Sequence, residues 1–274
     1  MSHKKAQKIH IHFCTFCAFL WLFSLSALAQ DSRKLTPLQI EIEKQQQRLS
    51  SSDQEERRDA IMELGSMRVA AASRTALAGL QDPSPVIRAT AAKAILSLGP
   101  EESVAALLPL LNEKDEFVRR ETAYALGLTR SRSATAALSE RLLNDKEDSV
   151  RGAAAVALGQ IADEAAVVAL VGTLAPELSA PRKSKRKREP NVFVLRAAAT
   201  ALGEIRSRAG TAALVSALNN EKFPDDVRRE AARSLGLIGD PAAVDALRTA
   251  STATDPYLSA IANESLKTIH RLHK

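Results

Sequence analysis

A leucine that returns at a nearly constant interval constrains this chain more than any other feature. Leu64, Ile95, Leu126, Leu158, Leu202, Leu235 and Leu266 are separated by 31, 31, 32, 44, 33 and 31 residues. Four positions before each stands Ala60, Ala91, Thr122, Ala154, Ala198, Ala231 or Ala262. A unit near 31 residues is too short to enclose a core, so each copy must bury its apolar face against its neighbours. The spacing predicts an all-α chain, an α-solenoid of stacked antiparallel helix pairs.

Each unit divides into a helix A and a helix B. Helix A is clearest in Val150, Ala153, Ala154, Ala157, Leu158 and Ile161, and returns as Val194, Ala197, Ala198, Ala201, Leu202 and Ile205. That spacing is a single apolar stripe of an α-helix. Alanine along one edge lets two backbones approach, while Leu and Ile fill the space beyond. Gly65, Gly127, Gly159, Gly203 and Gly236 follow the marker leucine, and either permit tight packing or end the helix.

Helix B ends on a second series, Leu49, Leu80, Leu111, Leu143, Leu174 and Leu218. The first four precede the next marker by 15 residues, whereas Leu174 precedes Leu202 by 28, so 13 residues are inserted there. Residues 30–52 are expected to form an N-terminal capping helix, a half repeat opened by the Thr36-Pro37 and Gln39 capping box. Residues 53–254 hold six repeats with a basic loop insertion at 176–191, and 255–274 form a C-terminal capping helix. The first repeat's stripe is Glu56, Asp59, Ala60, Glu63, Leu64 and Met67, polar as a terminal unit should be.

Residues 1–29 are predicted to be a signal peptide. Lys4, Lys5 and Lys8 precede an apolar run from Phe13 to Leu25, and Ala27 and Ala29 place cleavage before Gln30. The run is shorter than the roughly 20 residues of a comfortable membrane span, so export to the periplasm or beyond is expected, with no span in the mature chain. Cys14 and Cys17 lie inside that run and would be removed with it.

Removal also corrects the charge. The chain has 38 Lys and Arg against 32 acids, and residues 1–29 hold three Lys and no acid, so the mature chain nets +3. Arg182, Lys183, Lys185, Arg186, Lys187 and Arg188 contribute six of those positives, and the remainder nets −3. The basic composition is therefore a local property of one loop and not a general nucleic-acid signal. Such a block is either a solvated insertion or a contact for an anionic surface.

An ordered polar feature runs through the stack. Asp82 and Arg88, Glu113 and Arg119, and Asp145 and Arg151 stand six residues apart across the turn into helix A; Arg57 and Arg228 occupy the same arginine position. An acid, then Val-Arg, then Ala-x-x-Ala-Leu-Gly, best kept from Val118 to Gly127 and Val150 to Gly159, resembles the HEAT repeat. Specifically, it is similar to the short HEAT-like repeats of phycobilisome lyase subunits, over about residues 50–270. The resemblance implies a right-handed superhelix, a groove lined by helix B, and an acid–arginine ladder hydrogen-bonded between neighbouring repeats. Leu195 interrupts the arginine row, with Arg196 one place later.

Beyond residue 29 the only histidines are His270 and His273, which complete neither a metal-ligand set nor a base–nucleophile pair. No catalysis and no cofactor are expected. The reading is an exported, non-enzymatic scaffold for protein–protein interactions, with a protein partner whose identity the sequence does not give. Its rivals are an enzyme-associated subunit like the phycobilin lyases, and a binder of anionic polymer or nucleic acid through the basic loop. Trp21 would be lost with the leader, which disfavours nucleic acid. Two smaller expectations concern the turns. Arg68, Arg130, Arg132, Arg206 and Arg208 alternate with Glu101, Glu102, Asp163, Glu164 and Asp240, and are expected to form ion pairs between repeats rather than a charged rim for a partner. Phe117, Phe193 and Tyr257 are expected to be staples at the start of helix A.

Overall fold

The computed structural model describes residues 35–178 and 191–274. The expected cleavage residues Ala27 and Ala29, and the basic run from Arg182 to Arg188, lie outside the described residues. The chain divides into two compact units, Met1–Glu41 and Ile42–Lys274.

In the first unit the described part is the start of helix α1 (Pro37–Arg48). The capping box forms there: Thr36 Oγ1 accepts from the Gln39 N–H at 3.2 Å, and Gln39 Oε1 accepts from the Thr36 N–H at 2.8 Å. These bonds satisfy backbone donors that a helix N-terminus leaves open.

The second unit is a double layer. Helices A are α2 (Gln54–Ser66), α4 (Pro85–Ala94), α6 (Glu116–Thr129), α8 (Asp148–Ile161), α10 (Val192–Ile205), α12 (Asp225–Ile238) and α14 (Pro256–Leu272). Between them run helices B: α3 (Ala70–Ala76), α5 (Pro100–Leu107), α7 (Thr135–Asn144), α9 (Val167–Leu174), α11 (Thr211–Asn219) and α13 (Val244–Ala250). Short 3₁₀ turns at Leu77–Gln81 and Leu108–Asn112 complete α3 and α5. There is no strand among the described residues.

Neighbouring helices A pack on one another, and from the second repeat on each helix A packs mainly on the helix B that precedes it. The first six marker positions, Leu64 to Leu235, are fully buried, as are Ala60, Ala91, Ala154, Ala198, Ala231 and Ala262. Burying each such leucine is worth about 1.5–3 kcal/mol. In the third repeat the helix B marker shifts by one place: Leu142 is fully buried and Leu143 only half-buried. There the helix stays α-helical to Asn144, whereas α3 and α5 close as tighter 3₁₀ turns that rotate their last leucines inward.

The glycines after the markers serve packing. A Cβ on Gly127 would lie 2.7 Å from the Cα of Ala157 in the next repeat, and one on Gly203 would lie 2.9 Å from the Cα of Ser234. Gly65, Gly159 and Gly236 stand the same way against Ala94, Ala201 and Ser265. Thus the residue after one marker meets the residue before the next. The second repeat carries Leu96 at this point, half-buried against the core, and α4 ends at Ala94.

Helices A end on Arg68, Arg130, Ala162, Arg206 and Gly239, all in the left-handed region, with φ between 51° and 73°. Four of these are not glycine, at a cost of order 1 kcal/mol each. The arginines place positive charge beside the helix C-terminus, which its dipole favours.

Candidate functional site: the arginine ladder and the helix A face

Three rungs join neighbouring repeats at the expected arginines, two of them through bidentate pairs. Arg57 donates Nε and Nη2 to Asp82 at 2.7 and 3.1 Å, and Arg119 does the same to Asp145 at 2.9 and 3.0 Å. Arg88 Nε lies 3.0 Å from Glu113 Oε1, and its Nη2 donates to Oε2 at 3.3 Å. The remaining nitrogen of each guanidinium binds two carbonyl oxygens of its own turn; for Arg119 these belong to Glu113 and Lys114, at 2.8 and 2.9 Å. A planar fork with five donors suits this work, and a lysine could not reproduce it.

The residues six apart in sequence are therefore not the carboxylate partners. Each acid pairs with the arginine of the preceding repeat, 25 or 26 residues earlier. The backbone reinforces the geometry, since Asp82 and Asp145 also accept the N–H groups of Ser84 and Glu147. Burial pushes the Asp145 carboxyl up, but the Arg119 bonds, the Glu147 N–H and nearby Arg141 outweigh it and hold the group below its ordinary value. The same balance lowers Asp82.

Two expected ladder residues make no rung. Arg151 donates Nε to the Leu142 carbonyl at 3.1 Å and pairs with Asp148 of its own helix at 2.7 Å. Arg228 does the like with the Leu218 carbonyl, at 3.1 Å, and with Asp225. Glu177 stands 26 residues after Arg151, but it accepts from Ser216 Oγ at 2.7 Å instead. In the sixth repeat the rung moves one place along, so that Arg229 donates to both oxygens of Asp255 at 2.7 and 2.9 Å. Sequence reasoning missed this pair, although the spacing of 26 residues was there to find it. Helix α10 runs unbroken past Leu195, which is buried where the arginine would stand.

The turn charges also pair differently from expectation. Glu101 accepts from Ser131 Oγ at 2.6 Å, Asp163 from Thr135 Oγ1 at 2.8 Å, Glu164 from Ser207 Oγ at 2.8 Å and Asp240 from Thr211 Oγ1 at 2.9 Å. Asp163 and Asp240 also cap the short 3₁₀ turns that open helix B. Capping and hydroxyl bonds occupy these carboxylates, so the turn arginines stay in solvent; one exposed pair, Arg74 with Glu102 at 3.4 Å, remains.

The aromatic residues do not staple helix A. The ring of Phe193 sits over Gly152 of the preceding helix A, where a Cβ would collide with it. Phe117 and Tyr257 lie beneath the guanidinium groups of Arg120 and Arg229, 4.9 and 5.1 Å from the ring centres. His273 Nε2 lies 2.8 Å from the Gly239 carbonyl oxygen, and His270 is exposed.

A cleft of about 230 Å³ opens between α8 and α10. Val156, Phe193, Ala197 and Thr200 form its apolar part, and Gln160, Arg196 and Glu204 its polar margin. It lies on helices A, not on the helix B layer that the resemblance implied. Partial burial, aided by Glu230, pushes the Glu204 carboxyl up. Among the described residues no three His, Cys, Asp or Glu converge to hold a metal, and no helix is long and apolar enough to cross a membrane.

Stacked helix pairs with a common core, an interrepeat arginine ladder and a cleft on one helical layer define an α-solenoid repeat protein. HEAT repeats match residues 42–127, 115–186 and 180–267, and the chain belongs to the HEAT-repeat family. Among solved structures it is similar to the CpcE–CpcF complex of phycocyanin lyase from Nostoc sp. PCC7120. The identity there is 24%, with 90% of this chain and 91% of that chain covered and a TM-score of 0.50. It is also similar to YibA of Escherichia coli, at 18% identity over 99% and 100% of the two chains and a TM-score of 0.57. An engineered protein matches at 23% identity over 84% and 68%, with a TM-score of 0.51. At these identities the likeness is one of fold. No curated protein sequence matches the chain.

Proposed function

We propose that this chain is an exported, non-enzymatic scaffold that presents its helix A face to a protein partner. The cleft between α8 and α10 carries the reading. It joins an apolar centre, with Phe193 half out of the core, to charges of both signs at Arg196 and Glu204. Protein contacts are built from such buried anchors inside a polar rim. Export rests on the basic, apolar and small-residue order of residues 1–29.

The test is a photo-crosslinking residue placed at Thr200 in the native envelope, with exposed Val168 on α9 as the comparison position. A discrete protein adduct from position 200, absent from 168 and lost on Phe193→Asp, is the expected result. Equal adducts from both positions, or none from 200, would overturn the assignment of the face. A tetrapyrrole absorbing visible light in the purified protein would replace the scaffold reading with a lyase-like one.

A further inference from the structure

Within the stack, the residue after one marker leucine meets the residue before the next, and both are small wherever glycine is kept. At the two ends of the helix A layer these same positions face no further helix A among the described residues. The residue before Leu64 is Glu63, and the residue after Leu266 is Lys267; both are exposed. The register that brings Gly127 against Ala157 would bring Lys267 of one molecule against Glu63 of another.

The surroundings carry the same signs. A cleft of about 550 Å³ between α13 and α14 is lined by Arg248, Lys267, His270, Arg271 and Lys274 around Val244 and Leu266. Leu266 is half-buried there, although the six preceding markers are fully buried. At the other end, α2 exposes Glu55, Asp59 and Glu63, with Glu56 half-buried. The basic side chains have only exposed partners on their own helices, Asp245 for Arg248 and Glu264 for Lys267, and such pairs exchange readily with others.

We infer that the basic α13–α14 end of one molecule docks on the acidic α2 end of a second copy, head to tail. Complementary charge at matching repeat positions favours a second copy over an unrelated acidic partner. Two ends of like sign would instead have repelled each other. Lysine and glutamate hold the ends farther apart than glycine and alanine would, so the contact is polar and reversible rather than an extension of the core. A head-to-tail contact is heterologous and builds rings or open chains. This inference does not depend on the cleft between α8 and α10.

Sedimentation velocity of the mature chain, over a concentration series at low and high salt, tests it. Association that grows with concentration and fades with salt is expected, since screening acts beyond about 10 Å at 0.1 M. Lys267→Glu and Glu63→Lys should each weaken it about tenfold or more, and the double reversal should restore it, as the pairing is then re-formed with signs exchanged. Circular dichroism confirms that each variant is folded, and both positions are exposed. A wild type monomeric throughout, an association indifferent to the reversals, or a double variant as weak as the singles would each overturn the head-to-tail assignment.

Discussion

Arg119 and Asp145, twenty-six residues apart, meet across the third and fourth repeats in a pair from which water is nearly shut out, each residue only 4% exposed. Arg119 also ties down two carbonyls of its own turn, and Asp145 takes a backbone N–H of the next turn. One guanidinium thus fixes two successive interhelical turns relative to each other. The ladder holds the repeats in register while the apolar contacts supply most of the free energy.

Removing Arg119 should therefore cost far more than removing Arg151. Arg119→Ala takes from the buried Asp145 carboxylate its bidentate partner, an effect of about 3–5 kcal/mol. Arg119→Lys should recover only part of it, having lost the planar fork. Arg151→Ala loses one carbonyl bond and a partly exposed ion pair, about 1 kcal/mol. Urea denaturation of the three variants measures this, and an Arg151 effect equal to that of Arg119 would contradict the ladder described above.

Acid should loosen the same rung. The Asp145 carboxyl is held below its ordinary 3.8 in the folded chain, so the unfolded chain takes up its proton first as pH falls. The stabilisation is then complete above 3.8 and is lost as pH drops through the lower folded value. Asp82 and Asp255 share the direction and add to the slope. Denaturation midpoints recorded from neutral pH into acid should fall steeply below about pH 4. In Asp145→Asn, less stable at neutral pH, the fall should be shallower.

Glycine at the helix A contact should not tolerate a methyl group. Gly127→Ala would set a Cβ 2.7 Å from a backbone atom of Ala157, so two helices must move apart. Overpacking of this kind costs about 1–3 kcal/mol. At Gly99 nothing lies within 4 Å, so Gly99→Ala should be neutral or stabilise slightly. Thermal unfolding of the pair separates a packing role from a general effect of replacing glycine.

The leader should be cleaved after Ala29, so that N-terminal sequencing of the mature protein begins at Gln30. A charged residue at Ala27 or Ala29 should retain the precursor. Intact Met1 on the protein recovered from the envelope would contradict export by cleavage.

Deleting residues 182–188 removes six cations and takes the net charge of residues 30–274 from +3 to −3. Stability should change by less than about 1 kcal/mol, since loop closure varies only slowly with length. If the loop meets an anionic surface, retention on heparin or anionic vesicles should collapse in the deletion and weaken with salt in the wild type. Equal retention by both would leave the segment a spacer.

The periodic part of this architecture could be read from the chain without coordinates. Burial repeats with the helix, so Ala154 and Leu158 announce a buried stripe, and a unit of 31 residues announces a stack. Thr36 and Gln39 announced a cap for the same reason: both partners lie within one turn. What the chain could not announce were choices made between units. Asp145 stands six residues from Arg151 yet pairs with Arg119 of the preceding repeat, while Arg151 reaches the Leu142 carbonyl and Asp148. The glycine after each marker could have ended a helix or admitted a neighbour, and only the approach of Ala157 to Gly127 decided it. Asp163 and Asp240 could have met arginines, but the hydroxyls of Thr135 and Thr211 stood closer in space. Local periodicity determines which side of a helix is buried; which polar atom lies within 3 Å of another depends on how two helices are rotated and spaced, and that is settled only when they pack.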